Sequence, residues 1–343
     1  MSTEQTQQAK SNDWYLVCLD HQGDPRIVAK NAELQDWRRL ANVYRGSTFK
    51  TAEKVARRVI RESAIAAKDG VYGAPVQGPD GTAHAAFLST SANPGKIPDV
   101  GVLEWRFPVS ADSPPSLHLT STALDQFGVG AQSRDRTVYG PADFFTRARN
   151  LSEILPHLGF LYDNTEGEQR TARTMMKGDD GQDRDLYFIE QIRSGNAGER
   201  IVRGLCWPAN DNPKALATRA LDIELATALA TAGGQFVAIT DNRFPNTPYV
   251  VKWVTPHPPG LGHGASTGQP AAIHPDDLGR LLEYRDALSD VKPGDPVPVL
   301  RGIRARRAGG GWMSGSGTGF RLNEHYPTIW VALLTPDHPE SES

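Results

Sequence analysis

The sequence predicts an α+β fold: mixed sheets with short helices and many Pro/Gly loops, in two subdomains. Three observations predict it. Strand-like and helix-like stretches alternate without the regular βαβ beat of a parallel sheet. Proline (25) and glycine (33) are both abundant, which favours loops and short elements. A polar stretch at 161–185 divides the chain into an N-terminal unit, 13–160, and a C-terminal unit, 186–334.

Each element has its own local reason. Residues 1–12 are polar and are expected to be disordered. WYLVCL at 14–19 reads as a strand, HQGDP as a turn, and 26–29 as a return strand. Residues 32–40 (AELQDWRRL) suggest a short helix. Residues 51–67 give the clearest helix: Val55, Val59, Ile60 and Ile65 share a stripe, Thr51 caps it, and Lys54, Arg57, Arg58 and Arg61 form a solvated basic face. Residues 70–81 read as loop, and 85–90 and 100–109 as strands. Residues 136–139 and 144–146 suggest short strands, and 150–158 a helix.

Beyond the polar stretch, 186–192, 236–240 and 249–254 read as strands, and the Ala-rich 214–232 as a helix. Residues 255–270 form a Pro/Gly loop. HPDDLGRLLEYRDAL is a helix whose first turn carries Asp276 and Asp277, as the helix dipole favours. Strands at 297–303 and 328–334 flank a Gly-rich loop, and 335–343 form an acidic tail. No internal repeat is visible.

Bulk properties exclude several classes. A net charge of −3 and a pI near 6.3 argue against coating nucleic acid through overall charge. No apolar leader and no long apolar run occur, so a cytoplasmic protein away from membranes is expected. Cys18 and Cys206 have no CxxC neighbour, and His257 and His263 sit in a Pro/Gly loop, so no metal site is expected. Glycine-serine elbows and HExxH motifs are absent. Asp222 and Glu224 in LDIELA read as surface charge.

One constellation points to chemistry. In VYRGSTF, Arg45 follows a short apolar run and precedes glycine, which leaves its guanidinium beside open backbone, suited to bidentate phosphate binding. Some forty residues on, AFLSTS places Ser89, Thr90 and Ser91 at a strand end, where hydroxyls can fix such an arginine. Tyr44-Arg45-Gly46, Ser89-Thr90-Ser91 and the strand after them resemble the mono-ADP-ribosyltransferase toxin fold of the Arg/Ser-Thr-Ser/Glu class, over roughly residues 40–148. The resemblance implies NAD as cofactor, bound around Tyr44, Arg45, Ser89, Thr90 and Ser91, with Arg45 on its phosphates and Ser89 organising the site. It also implies a macromolecular target and a Glu that stabilises the ribosyl cation. Where that Glu belongs, GAQSRDRTVYGPADFF offers Gln132 and Asp135, so Asp135 takes the catalytic position.

A second stretch points to nucleic acid. Residues 301–321, RGIRARRAGGGWMSGSGTGFR, place Arg301, Arg304, Arg306, Arg307 and Arg321 around glycines, Trp312 and Phe320. Arginines pair with phosphates, glycines admit a backbone and aromatics stack on bases. Without a following Gly-Lys-Ser/Thr or helix it is neither a phosphate loop nor a dinucleotide fingerprint. It resembles the glycine-rich loop of CRISPR repeat-associated RNA-binding proteins, which implies, as the alternative function, a non-enzymatic RNA- or DNA-binding subunit of a ribonucleoprotein.

Overall fold

A computed structural model describes residues 13–91, 97–109, 114–134, 136–149, 151–195, 198–209, 228, 230, 233–244, 248–262, 272–291, 295–322 and 326–337. Asp135, Asp222, Glu224, His263 and residues 1–12 lie outside these, as do 338–343 of the acidic tail and all but two residues of the expected helix at 214–232. Among the described residues, sixteen strands form three antiparallel sheets, with few and mostly short helices.

The first sheet contains β1 (Trp14–Leu19), β2 (Pro25–Lys30), β3 (Glu33–Arg39), β4 (Ala66–Lys68), β5 (Val71–Gln77) and β6 (Ala83–Ser89), in the order β3-β2-β1-β6-β5-β4. Helix α1 (Gly46–Glu62) crosses between β3 and β4. The second contains β7 (Gly101–Phe107), β8 (Ser116–Leu119), β9 (Gln169–Lys177), β10 (Asp183–Ser194) and β11 (Arg200–Pro208), in the order β8-β7-β11-β10-β9. Helices α2 (Ser121–Gln126), α3 (Pro141–Phe145) and α4 (Leu151–Asp163) lie between β8 and β9. The third contains β12 (Phe236–Asp241), β13 (Tyr249–Trp253), β14 (Leu300–Arg306), β15 (Trp312–Arg321) and β16 (Ile329–Pro336), in the order β13-β12-β16-β15-β14. Helix α5 (Pro275–Ser289) lies between β13 and β14.

These are three copies of one topology. Each begins with a hairpin (extended in the first copy by the edge strand β3), crosses through helix and returns as a three-stranded meander whose last strand pairs with the first strand of the hairpin. This corrects the α+β expectation: the fold is mainly β, with antiparallel rather than mixed sheets, and it repeats. The misread strands are ones whose side chains do not alternate apolar and polar. Residues 32–40, expected as helix, form β3 and one 3-10 turn, because β3 is a charged edge strand with little to bury. Residues 70–81, expected as loop, contain β5. The polar stretch 161–185 carries the end of α4, all of β9 and the turn into β10. Its charges are paired, Arg170 with Glu190 and Arg173 with Asp185. Residues 144–146 fall largely in α3, where Pro141 starts the helix and Asp143 accepts from the Gly140 N–H at 2.8 Å.

The hairpin turns share one device. In Gly78–Thr82 and Gly178–Gln182 the first residue donates to the carbonyl of the fifth, at 2.7 and 2.9 Å. The fourth, Gly81 or Gly181, takes a left-handed φ of +80° or +77° that glycine alone adopts without strain. Asp80 and Asp180 each accept from the backbone N–H two residues on, at 3.0 Å.

The first two sheets face each other through Trp14, Leu16, Val102, Leu205 and Trp207, and the Trp207 indole donates to the Ala32 carbonyl at 2.9 Å. Helix α1 covers the far side of the first sheet with Val55 and Val59; a Cβ at Gly73 would lie 2.8 Å from both, so glycine there admits the helix. The far side of the second sheet carries an aromatic core of Trp105, Phe127, Phe144, Phe145 and Phe188, joined by Tyr249, Val251 and Ile329 of the third. The buried Lys252 ammonium fastens β13 to α3 by donating to the carbonyls of Phe145, Thr146 and Ala148. No described helix is long and apolar enough to cross a membrane.

Candidate functional site

The residues expected to hold NAD lie at one end of the first sheet. Tyr44 is buried against the Tyr15 ring, and burial pushes its phenol well above the ordinary value. Arg45 is exposed as the residue before α1. Ser89 ends β6; its hydroxyl donates to the Asp13 carbonyl and accepts from the Ser91 N–H, both at 3.0 Å. That hydroxyl is thus engaged with the chain's own backbone and not with Arg45. Thr90 is exposed.

Residues 301–321, expected as a loop, form the β14–β15 hairpin with a tight turn at 307–311, where Gly310 and Gly311 take left-handed φ values of +95° and +77°. The hairpin separates the arginines. Arg304 binds Asp277 of α5, Arg306 lies over the Trp312 ring at 4.8 Å, and Arg321 donates to the Ser289 carbonyl at 3.1 Å. Arg301, Arg307 and Phe320 are exposed.

The glycines of β15 do something the sequence does not announce. Gly315, Gly317 and Gly319 alternate with Ser314, Ser316 and Thr318, so the strand's period of two puts all three on one face. Directly opposite them on β16 are Pro336, Leu334 and Ala332, and Ala238 of β12 faces Ala332. On the other side, Ile303 of β14 faces Gly315. The sheet therefore presents to α5 a strip of bare glycine backbone flanked by larger side chains, and Leu334 lies over Gly317, where a Cβ would come within 2.8 Å of it. Between sheet and helix is a cavity of about 490 Å³. Leu278, Leu281 and Leu288 of α5 line it from the helix side, and Trp253 and Trp330 line it as well.

Polar clips hold the helix over the void. Asp277 takes three hydrogen bonds from Arg304, and the Tyr284 hydroxyl donates to the Pro298 carbonyl at 2.8 Å. Leu288 approaches the place a Gly319 Cβ would occupy no closer than 3.4 Å, an ordinary contact, so helix packing does not demand glycine there. The equivalent space in the other two copies is filled, by α1 in one and by the aromatic core in the other.

Chemically the lining is sparse. Its charged side chains are Arg285 and Asp143, and Asp143 is neutralised by two bonds from Arg136 at 3.1 and 2.5 Å. Among the described residues the lining holds no histidine, cysteine, lysine or glutamate, and its Ser314 and Ser316 hydroxyls donate to the Asp337 carboxylate. No cluster of metal-binding side chains occurs among the described residues. The signal that sequence reasoning missed was glycine at every second position of a strand.

No protein-family model matches the chain, and no curated protein matches it. Among solved structures, an uncharacterised protein from Mycobacterium tuberculosis is similar at a TM-score of 0.70 and 19% identity, covering 96% of this chain and 98% of that one. It shares the fold along almost the whole length. A sensory box histidine kinase/response regulator from Burkholderia thailandensis E264 matches at a TM-score of 0.26 and 15% identity, over 38% of this chain and 92% of its own. An RNA-binding light-oxygen-voltage receptor matches at 0.26 and 10%, over 69% and 95%. The last two share too little structure to bear on function.

Proposed function

We propose that the protein is a non-catalytic binder of a small, predominantly apolar molecule, held between α5 and the glycine face of β15. One observation carries this reading: a topology used three times packs its helix-facing side twice and leaves it hollow once. Interiors are normally packed as densely as organic crystals, so a void kept open by polar clips at the helix marks a site for something else. Its volume falls within the range of roughly 300–1,000 Å³ for small-molecule sites, and its lining is apolar with few polar groups, as such sites are. NAD and nucleic acid, expected from Arg45, Ser89 and the 301–321 arginines, have no part in it.

The test is titration of the full chain with the uncharged fluorescent dye N-phenylnaphthylamine. Saturable binding to one site is expected in the wild type. Ala332→Leu and Ala305→Leu fill the floor and should abolish it. A wild type that binds no dye, or variants that bind it equally well, would overturn the reading.

A further inference from the structure

We infer that the ligand of this cavity is an uncharged, compact molecule seated over Gly315, beneath the N-terminal half of α5; this rests on the binding reading above and adds the ligand's charge and place. The three glycines of β15 are not equally free. A Cβ at Gly319 would lie 3.4 Å from Leu288 and 3.5 Å from Trp330, and one at Gly317 would lie 2.8 Å from Leu334. Side chains already rest on both. The three nearest neighbours of a Cβ at Gly315, at 3.3–3.9 Å, are all backbone atoms of Thr335 and Pro336. The cavity is therefore closed at its Gly319 end and open at its Gly315 end.

The direction of the helix says what lies above the open end. Asp277, in the first turn of α5, binds Arg304, which pairs with Ser314 across the β14–β15 ladder. Leu288, in the last turn, meets Gly319. Helix and strand thus run the same way, so Leu278 and Leu281 come over the Gly315 end on one helical stripe. Below them the ladder sets Ile303 on one side of Gly315 and Pro336 on the other, with Met313 opposite Ala305 two residues along. All six of these side chains line the cavity, and all are apolar.

Charge is kept away from this end. The charged side chains of the described lining are Arg285 and Asp143. Arg285 precedes Leu288 by three residues, toward the closed end, and donates to Asp286 at 2.9 and 2.8 Å. Asp143 belongs to α3, which is fastened to β13, and β12 and β16 separate β13 from β15. Its carboxylate is bonded to Arg136 and to the Gly140 N–H. At the N-terminal rim, Asp277 and Arg304 close on each other through three hydrogen bonds. An ionised group over Gly315 would leave water and find each of these charges already matched, which is costly. An uncharged apolar molecule meets no such penalty.

The experiment is displacement of N-phenylnaphthylamine from the full chain by three molecules that share one ring body: 2-naphthylmethanol, 2-naphthoate and 2-naphthylmethylammonium, at neutral pH. The alcohol should displace the dye at about tenfold lower concentration than either ion, because only the ions bury an unmatched charge. Gly319→Ala, whose added carbon meets Leu288 in ordinary contact, should leave the alcohol unchanged, whereas Ile303→Phe, which enlarges the side chain beside Gly315, should weaken it about tenfold. Benzophenone, an uncharged ketone whose excited carbonyl inserts into nearby C–H bonds, reads the place in the wild type without any substitution. On irradiation its label should fall on Met313, Leu278 or Leu281. Equal displacement by the alcohol and an ion, equal weakening in the two variants, or label confined to Leu288, Trp330 and α3 would overturn this inference while dye binding still supported the cavity. Failure of the dye itself to bind would instead remove the cavity reading and this inference with it.

Discussion

Asp277 Oδ2 accepts from both the side-chain Nε and the backbone N–H of Arg304, at 2.8 and 2.9 Å. One carboxylate in the first turn of α5 thereby fastens the helix to the centre of β14, and the guanidinium holds its carboxyl well below the usual carboxylate range. Asp277→Asn should loosen the helix over the cavity without unfolding the other two sheets. Amide hydrogen exchange should quicken in α5 and stay unchanged in α1. Uniform quickening across the chain, or none in α5, would count against a local clip.

The hollow third copy predicts an asymmetry in mutational cost. Phe144 is buried among Trp105, Phe127, Phe145 and Phe188, so Phe144→Ala should cost about 3–5 kcal/mol. Leu281 faces open space and is half-buried. Leu281→Ala should therefore cost about 1 kcal/mol or less, because little packing is lost and the cavity already exists. Urea denaturation measures both; similar costs would mean the third copy is packed like the second.

Lys252 should matter for stability although it is a lone buried cation. Its ammonium donates to three carbonyls at 2.7–3.2 Å, and burial pushes its pKa down to about 7. Lys252→Met keeps the stem and removes the donors, leaving carbonyls of the second unit without their partner. A loss of about 1–3 kcal/mol is expected. An unchanged melting temperature would show that the clamp contributes nothing net.

Acid sensitivity should trace in part to His84. A bulge where Val76 and Gln77 of β5 pair with Ala85 and Ala83 leaves His84 as the extra residue, buried 3.5 Å from Glu104. Burial, with Arg203 adding to it, lowers its pKa from 6.5 to about 4. The unfolded chain therefore takes up this proton first as pH falls, and stability is lost from about pH 6.5 downward. The slope is at most about 1.4 kcal/mol per pH unit. His84→Gln should flatten the stability profile between pH 6.5 and 5, and an identical slope in wild type and variant would exclude His84 as its source.

Part of this fold was legible in the sequence. WYLVCL, VLEWRF and YVVKW carry enough apolar side chains to declare themselves strands, and the Val55–Val59 stripe declares α1, although it begins five residues earlier than expected, at Gly46. Asp276 and Asp277 marked the start of α5 correctly. The turns GPDGT and GDDGQ are near copies and were the available hint of a repeated topology. Charged edge strands such as β3 and glycine strands such as β15 were not legible, because their pairing is set by neighbours remote in sequence.

The sequence by itself determined the local periods: which residues alternate across a strand, which share a helical stripe, and where glycine permits a left-handed turn. These follow from backbone geometry within a few residues. Only the tertiary structure decided that Arg304 binds Asp277, and that three glycines of β15 line one cavity with Leu281 of a helix remote in sequence. A cavity is the distance between two surfaces that the chain brings together, and that distance depends on strand order and on polar clips between remote residues rather than on the spacing within either segment.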